Sequence, residues 1–156
     1  MADYFEHMSV FLPLKKVGDR RKRAWWAKVD EALQSAFDDD SEQQEFLEKL
    51  LPEEARDCTV CSILLLDDGV CVTDDEGVLH TDGVAAIFMA YLEKFDPTGH
   101  VRIEIAFTCS KHRSDGFGGC SMVVTAKEAK WFTTHDGVNK LALEMGLDPK
   151  DQRNRR

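Results

Sequence analysis

Apolar positions along this chain change their spacing several times, and each spacing selects a backbone geometry. Val101, Ile103, Ile105 and Phe107 alternate with Arg102, Glu104, Ala106 and Thr108, the period of two that predicts a strand covered on one face only. Val84, Ile87, Phe88, Tyr91, Leu92 and Phe95 recur at three- and four-residue steps. That spacing predicts an amphipathic helix capped at Thr81 or Asp82 and ended by Asp96-Pro97-Thr98-Gly99. Trp26, Val29, Leu33 and Phe37 follow the same rule, with Asp19 as the expected N-cap and Asp38-Asp39-Asp40 closing the helix, because like charges collect poorly at its negative end. Ser41 and Gln44 spell a capping box ahead of Phe46, Leu47, Leu50 and Leu51, and Pro52 halts that helix.

Shorter signals fill the remainder. The apolar run from Met8 to Leu14 reads as a strand stopped by Lys15-Lys16. Val60 to Leu66 is too short for a helix between its flanks and reads as a buried strand, turned by Asp67-Asp68-Gly69 into Val70 to Thr73. A second polar turn, Asp74-Asp75-Glu76-Gly77, leads to a short strand over Val78 to His80. Beyond the loop after Thr108, Ser121 to Thr125 returns as a strand. Thr125 with Glu128 is then read as a capping box for a short helix carrying Trp131 and Phe132. A last helix places Val138, Leu141, Ala142 and Met145 on one stripe, closed by Gly146 with Leu147 behind it. There are no internal repeats and no dividing linker. The expected fold is α+β: a single domain over 1–147, a mainly antiparallel sheet with amphipathic helices on one face, and a polar tail at 148–156.

Charge changes this picture locally. The chain carries a net charge of −9. Between Asp38 and Asp82 stand fifteen Asp and Glu against only Lys49 and Arg56. Such a field repels phosphate and argues against direct nucleic-acid binding. Six basic residues between Lys15 and Arg23, opposed only by Asp19, run the other way. The plain reading of Arg20-Arg21-Lys22-Arg23 is a solvated first helical turn, although cations there oppose the helix dipole. No window approaches the roughly 18 apolar residues that span a bilayer. The start of the chain lacks the pattern of an export signal, and five cysteines form an odd set. A cytoplasmic location with reduced thiols is therefore expected.

Candidate chemistry gathers around the loop from Ser110 to Gly119, where Lys111, His112, Arg113, Asp115 and Phe117 crowd between two strands. A charged, glycine-hinged loop on a rigid hairpin is a common binding surface, with Phe117 as an aromatic anchor. Cys58-Thr-Val-Cys61 and Cys109-Ser-Lys-His112 have the paired spacing of a Cys₃His zinc site. Against zinc, Cys61 enters a buried strand, where residues three apart face opposite sides. Cys109 and Cys120, near one another across the hairpin stem, would with His112 and Asp115 sketch a thiol nucleophile and its base. Gly116, Gly118 and Gly119 precede a strand rather than a helix, so a phosphate cradle is disfavoured.

The segments Tyr4-Phe5-Glu6-His7-Met8-Ser9-Val10 and Cys109 to Thr133 carry a further signal, with Cys109-Ser110-Lys111-x-Arg113-x-Asp115-x-Phe117-Gly118-Gly119 ahead of a valine strand. This pattern resembles an uncharacterised group of small proteins carried by phages and plasmids. The resemblance implies interference with a host system such as restriction or a CRISPR nuclease. On that expectation the protein is a non-enzymatic binder of a host protein with a basic surface, such as a nucleic-acid-binding enzyme. Its contacts would be the loop residues together with the acidic positions Asp38, Asp39, Asp40, Asp74, Asp75 and Glu76. The alternative is a metal- or thiol-dependent enzyme, or a zinc-stabilised module, built on Cys58, Cys61, Cys109 and His112.

Overall fold

The computed structural model describes residues 4–15, 17–35, 41–56, 58, 60–74, 79–109 and 118–146. In chain order these form β1 (Tyr4–Pro13), α1 (Arg20–Gln34), α2 (Ser41–Leu50), a 3₁₀ turn (Glu53–Ala55), β2 (Ser62–Leu65), β3 (Gly69–Thr73), α3 (Thr81–Phe95), β4 (His100–Cys109), β5 (Gly118–Thr125), β6 (Ala129–Thr133) and α4 (Thr134–Glu144). The strands make one six-stranded sheet in the order β2-β3-β1-β4-β5-β6, and every pairing is antiparallel. This is the α+β single-domain fold that the hydrophobic periods imply. No described helix is long and apolar enough to cross a membrane.

β1 joins two smaller units, the β2–β3 hairpin and the β4–β5–β6 meander. Its first half, Tyr4 to Met8, pairs with β4, and its second half, Ser9 to Pro13, pairs with β3. Backbone groups at such a change of partner lose ladder bonds and need other partners. Asp74 and Thr73 supply them. The Met8 N–H donates to Asp74 Oδ1 (2.7 Å), and the Met8 carbonyl accepts from Thr73 Oγ1 (2.9 Å) and from the Asp74 N–H (3.3 Å).

Strand alternation sorts the two faces of the sheet. Met8, Val10, Val70, Val72, Ile103, Ile105, Met122 and Val124 are buried on one face, which α1 and α3 cover, with α2 packed against both helices. α3 contributes Val84, Ile87, Phe88 and Leu92, as its expected stripe implies, whereas α1 buries Trp26 and Val29 of its expected stripe together with Ala32, and Leu33 is only partly buried. Large rings hold α1 against α3. Trp26 lies 5.6 Å from Phe88 and 5.2 Å from Tyr91, and Trp25 meets Tyr91 and Phe95 at 5.7 and 6.2 Å. Arg23 ties the helix start to the sheet, its guanidinium donating to the Leu14 and Leu66 carbonyls at 3.3 and 2.6 Å.

Several local expectations give way to tertiary context. α3 is capped by His80, whose Nδ1 accepts from the Gly83 N–H, rather than by Thr81 or Asp82. Leu79 and His80 form no strand, although the His80 N–H donates to the Val60 carbonyl. Asp19 occupies the N-cap position of α1, yet its carboxylate accepts from the Lys15 N–H and pairs with Lys22 instead of capping the helix. Thr125 and Glu128 close a turn, not a helix start, because pairing with β5 draws Trp131 and Phe132 into β6. The capping box belongs one element later, to Thr133 and Asp136 at the start of α4. Gly146 ends α4 in the left-handed region (φ +73°), as its place after the last apolar residue implied. Phe37 and Leu147 lie outside the described residues, as does the whole polar tail.

Trp26 and Trp131 separate core from surface in a measurable way. Trp26→Ala removes a fully buried ring and is expected to lower unfolding free energy by about 3–5 kcal/mol. Trp131→Ala acts on a half-exposed edge-strand ring and should cost about 1 kcal/mol or less. Urea denaturation midpoints of the two variants check the contrast.

Candidate functional site

Most residues expected to carry function fall outside the described residues: Lys111, His112, Arg113, Asp115 and Phe117 of the loop, and Asp38, Asp39, Asp40, Asp75 and Glu76 of the acidic stretch. What is described is the frame that presents them. The stem of the loop is the last part of the β4–β5 ladder, where Phe107 faces Gly118 and Ala106 faces Gly119. A Cβ at Gly119 would stand 2.6 Å from the Ile105 carbonyl oxygen, so close strand approach demands glycine there rather than turn geometry. The Gly119 carbonyl accepts from Thr134 Oγ1 (3.0 Å), which anchors the start of α4 beside the loop base.

On the uncovered face next to this stem lies a shallow groove of about 430 Å³, lined by His7, Glu104, Ala106, Gly119, Ser121 and Phe132. His7 was not singled out from the sequence. A carboxylate only accepts, so His7 Nδ1 carries the proton it donates to Asp74 Oδ2 (3.0 Å), which leaves Nε2 free of that bond. Asp74 is thus the one described member of the expected acidic surface. It is spent inside the fold, with a side chain only 8% exposed. Burial pushes its carboxyl up, but hydrogen bonds from Met8 and His7 outweigh that and hold it below the usual carboxylate range. A buried carboxylate orienting a histidine is one half of a nucleophilic site. The other half is missing among the described residues, where no hydroxyl or thiol hydrogen-bonds to His7. Nothing in one-dimensional spacing joins positions 7 and 74; only the β1–β3 register does.

The cysteines divide sharply. Cys61 is buried, and desolvation pushes its thiol up to about 12, so it stays protonated. Cys58 is exposed, with its thiol directed at the Glu54 carbonyl (3.6 Å). No group of three or more His, Cys, Asp or Glu able to hold a metal occurs among the described residues. Cys109 ends β4, where it faces Tyr4; its side chain and His112 lie outside the described residues. The expected proximity of Cys109 and Cys120 fails on register. Cys120 faces Ile105, four residues back along β4, which is about 13 Å of strand. Burial, reinforced by the charge of Glu6, raises the Cys120 thiol, the reverse of what a nucleophile needs.

α4 departs most from expectation. Its stripe of Val138, Leu141 and Met145, read from the sequence as a buried face, is 60%, 59% and 74% exposed. No α4 residue is buried. The helix rests on β6 through small residues, with Gly137 against the Phe132 ring, and turns its large apolar side chains outward.

No protein-family model matches the chain, and no curated protein or solved structure matches it either.

Three measurements follow from this geometry. Asp74→Ala strips Met8 and His7 of an ionic acceptor and is expected to cost about 1–3 kcal/mol in urea denaturation. Because its folded pKa is depressed, Asp74 contributes stability above about pH 4 that fades as pH falls through that lowered value. Glu6 acts in the opposite sense: burial raises its carboxyl, partly offset by His80, so it costs stability as pH rises from about 4 through its raised value. Asp74→Asn should flatten the acid limb of the stability profile, and Glu6→Gln the limb just above it. Thiol labelling of native protein near pH 8 should modify Cys58 rapidly and leave Cys61 unmodified until denaturant is added, as mass spectrometry of the tryptic peptides would show.

Proposed function

We propose that this protein acts by binding a partner protein rather than by catalysis, and that the partner docks on the corner formed by α4, Phe132 and the β4–β5 loop. The observation that carries this reading is the outward apolar stripe of α4, Val138, Leu141 and Met145, on a helix whose Gly137 packs against the half-exposed Phe132. A contiguous large apolar patch on a folded domain marks an interaction surface more often than a solvated one, and an amphipathic helix presenting such a stripe is a recurring docking element. Thr134 ties the start of this helix to the loop stem at Gly119. Loop residues Arg113 and Phe117 are thereby read as part of the same recognition surface.

The partner is read as a host protein with a basic surface, of the kind found on nucleic-acid-binding defence enzymes. The support is the sequence resemblance to mobile-element proteins and the excess of acid between Asp38 and Asp82. An apolar anchor with an acidic surround would occupy a nucleic-acid channel by contact and charge together.

The test is affinity capture from a bacterial lysate at low and high salt, comparing wild type with Val138→Asp/Leu141→Asp and with Arg113→Glu/Phe117→Ala. All these α4 and loop substitutions should leave the unfolding free energy within about 1 kcal/mol of wild type. A specific partner held by wild type and lost by both variants supports the reading. A partner retained by the α4 variant, or none captured at either salt, overturns it.

A further inference from the structure

The basic residues at the start of α1 do not all serve the fold. Arg23 is consumed by the Leu14 and Leu66 carbonyls, and Lys22 Nζ by Asp19 Oδ1 at 3.0 Å. Arg20 and Arg21 are exposed and have no ion-pair partner among the described residues. They stand at the edge of a cleft of about 770 Å³ between the first turns of α1 and the last turn of α3. Lys28, Lys94 and the Asp19–Lys22 pair also line it, together with the rings of Trp25 and Phe95. The cleft lies beside the ring contacts that join α1 to α3, Trp25 against Tyr91 and Phe95.

Three features set the chemistry of an occupant. Arg20, Arg21, Lys28 and Lys94 carry positive charge with no described carboxylate paired to any of them, in a chain whose net charge is −9. Lys28 and Lys94 instead lie over aromatic rings, 4.7 Å from the Phe46 centroid and 5.7 Å from the Phe95 centroid. Asp19, occupied by Lys15 and Lys22, leaves the first N–H groups of α1 without a side-chain cap, and no acidic residue stands in that turn. Cations stacked on the positive end of a helix are unfavourable unless an anion joins them. The partly exposed indole of Trp25 and the Phe95 ring, set at 77° to one another, add an aromatic wall on which a base can stack and which a simple anion would not use.

From this juxtaposition we infer that the α1–α3 cleft is a nucleotide site, taking an aromatic base on Trp25 and Phe95 and a di- or triphosphate on Arg20, Arg21, Lys28 and Lys94. The volume falls within the range of small-ligand sites, roughly 300–1,000 Å³. Four cations match the charge of a nucleoside triphosphate. A compact ligand feels mainly these local charges, since fields from the acidic remainder are screened beyond about 8 Å at physiological salt. An extended strand reaches beyond the cleft and meets the net charge of −9 of the whole chain, which repels it. This site is independent of the α4 corner and would persist if the protein partner proved wrong.

Isothermal titration of the full chain at 150 mM salt tests it, with ATP, GTP, inorganic tripolyphosphate, adenosine and a ten-residue oligo-dT as probes. ATP or GTP should bind at least tenfold more tightly than tripolyphosphate and adenosine. Arg20→Glu/Arg21→Glu, at two exposed positions, should weaken that binding at least tenfold with the denaturation midpoint unchanged. Trp25→Phe should weaken it several-fold, as loss of stacking area requires. The inference is overturned by equal affinity for tripolyphosphate and nucleotide, which marks a plain anion patch. It is equally overturned by oligo-dT binding tighter than either nucleotide, by binding that ignores Arg20 and Arg21, or by no binding at millimolar nucleotide.

Discussion

At Met8 the first strand exchanges one neighbour for another, and three groups from β3 and its end meet that residue's backbone: the Asp74 carboxylate, the Asp74 N–H and the Thr73 hydroxyl. Without them the change of partner would leave a buried donor and acceptor unmet, at a cost comparable to a lost hydrogen bond each. A two-stranded hairpin such as β2–β3 is marginal alone. It becomes part of a six-stranded sheet only because β1 can pair with it beyond Met8 while still pairing with β4 before it. The helices then follow, since α1 and α3 need a continuous apolar face to cover, and α2 packs on them.

Charge in this molecule separates into roles that composition blurs. Asp74 belongs to the acidic stretch by position, yet it works as a backbone acceptor and holds His7 in one orientation. Arg23 and Lys22 belong to the basic run, yet one caps strand carbonyls and the other answers Asp19. Removing these members from each cluster leaves a smaller set, Arg20 and Arg21 beside Trp25 and Phe95, whose charges the described fold does not use. The same subtraction applies to apolar groups. The stripes of α1 and α3 are absorbed by the core, whereas that of α4 is left facing solvent.

Two surfaces of different chemistry therefore remain at separate parts of the domain. One is apolar, made by α4, Phe132 and the base of the β4–β5 loop. The other is cationic with an aromatic wall, made where α1 begins and α3 ends. Both are positioned by rigid elements, which favours recognition, because little ordering entropy is lost when a ligand binds a preformed surface.

Local spacing was enough to determine the α+β class, the three core helices, the two-faced β4 strand, the β2–β3 turn and the glycine end of α4, since each depends on residues within one or two helical turns or on strand alternation. Tertiary structure decided the rest. Trp131 and Phe132 are strand residues because β5 offers a ladder, which outweighs a local capping signal. His80 caps α3 because the chain arrives from its bond to Val60 in extended form. Val138, Leu141 and Met145 keep helical spacing in either environment, so periodicity could not say whether anything covers them. The His7–Asp74 pair and the α1–α3 cleft join residues about 70 positions apart. Such contacts depend on register and on helix packing, which are properties of the assembled sheet and not of any window of sequence.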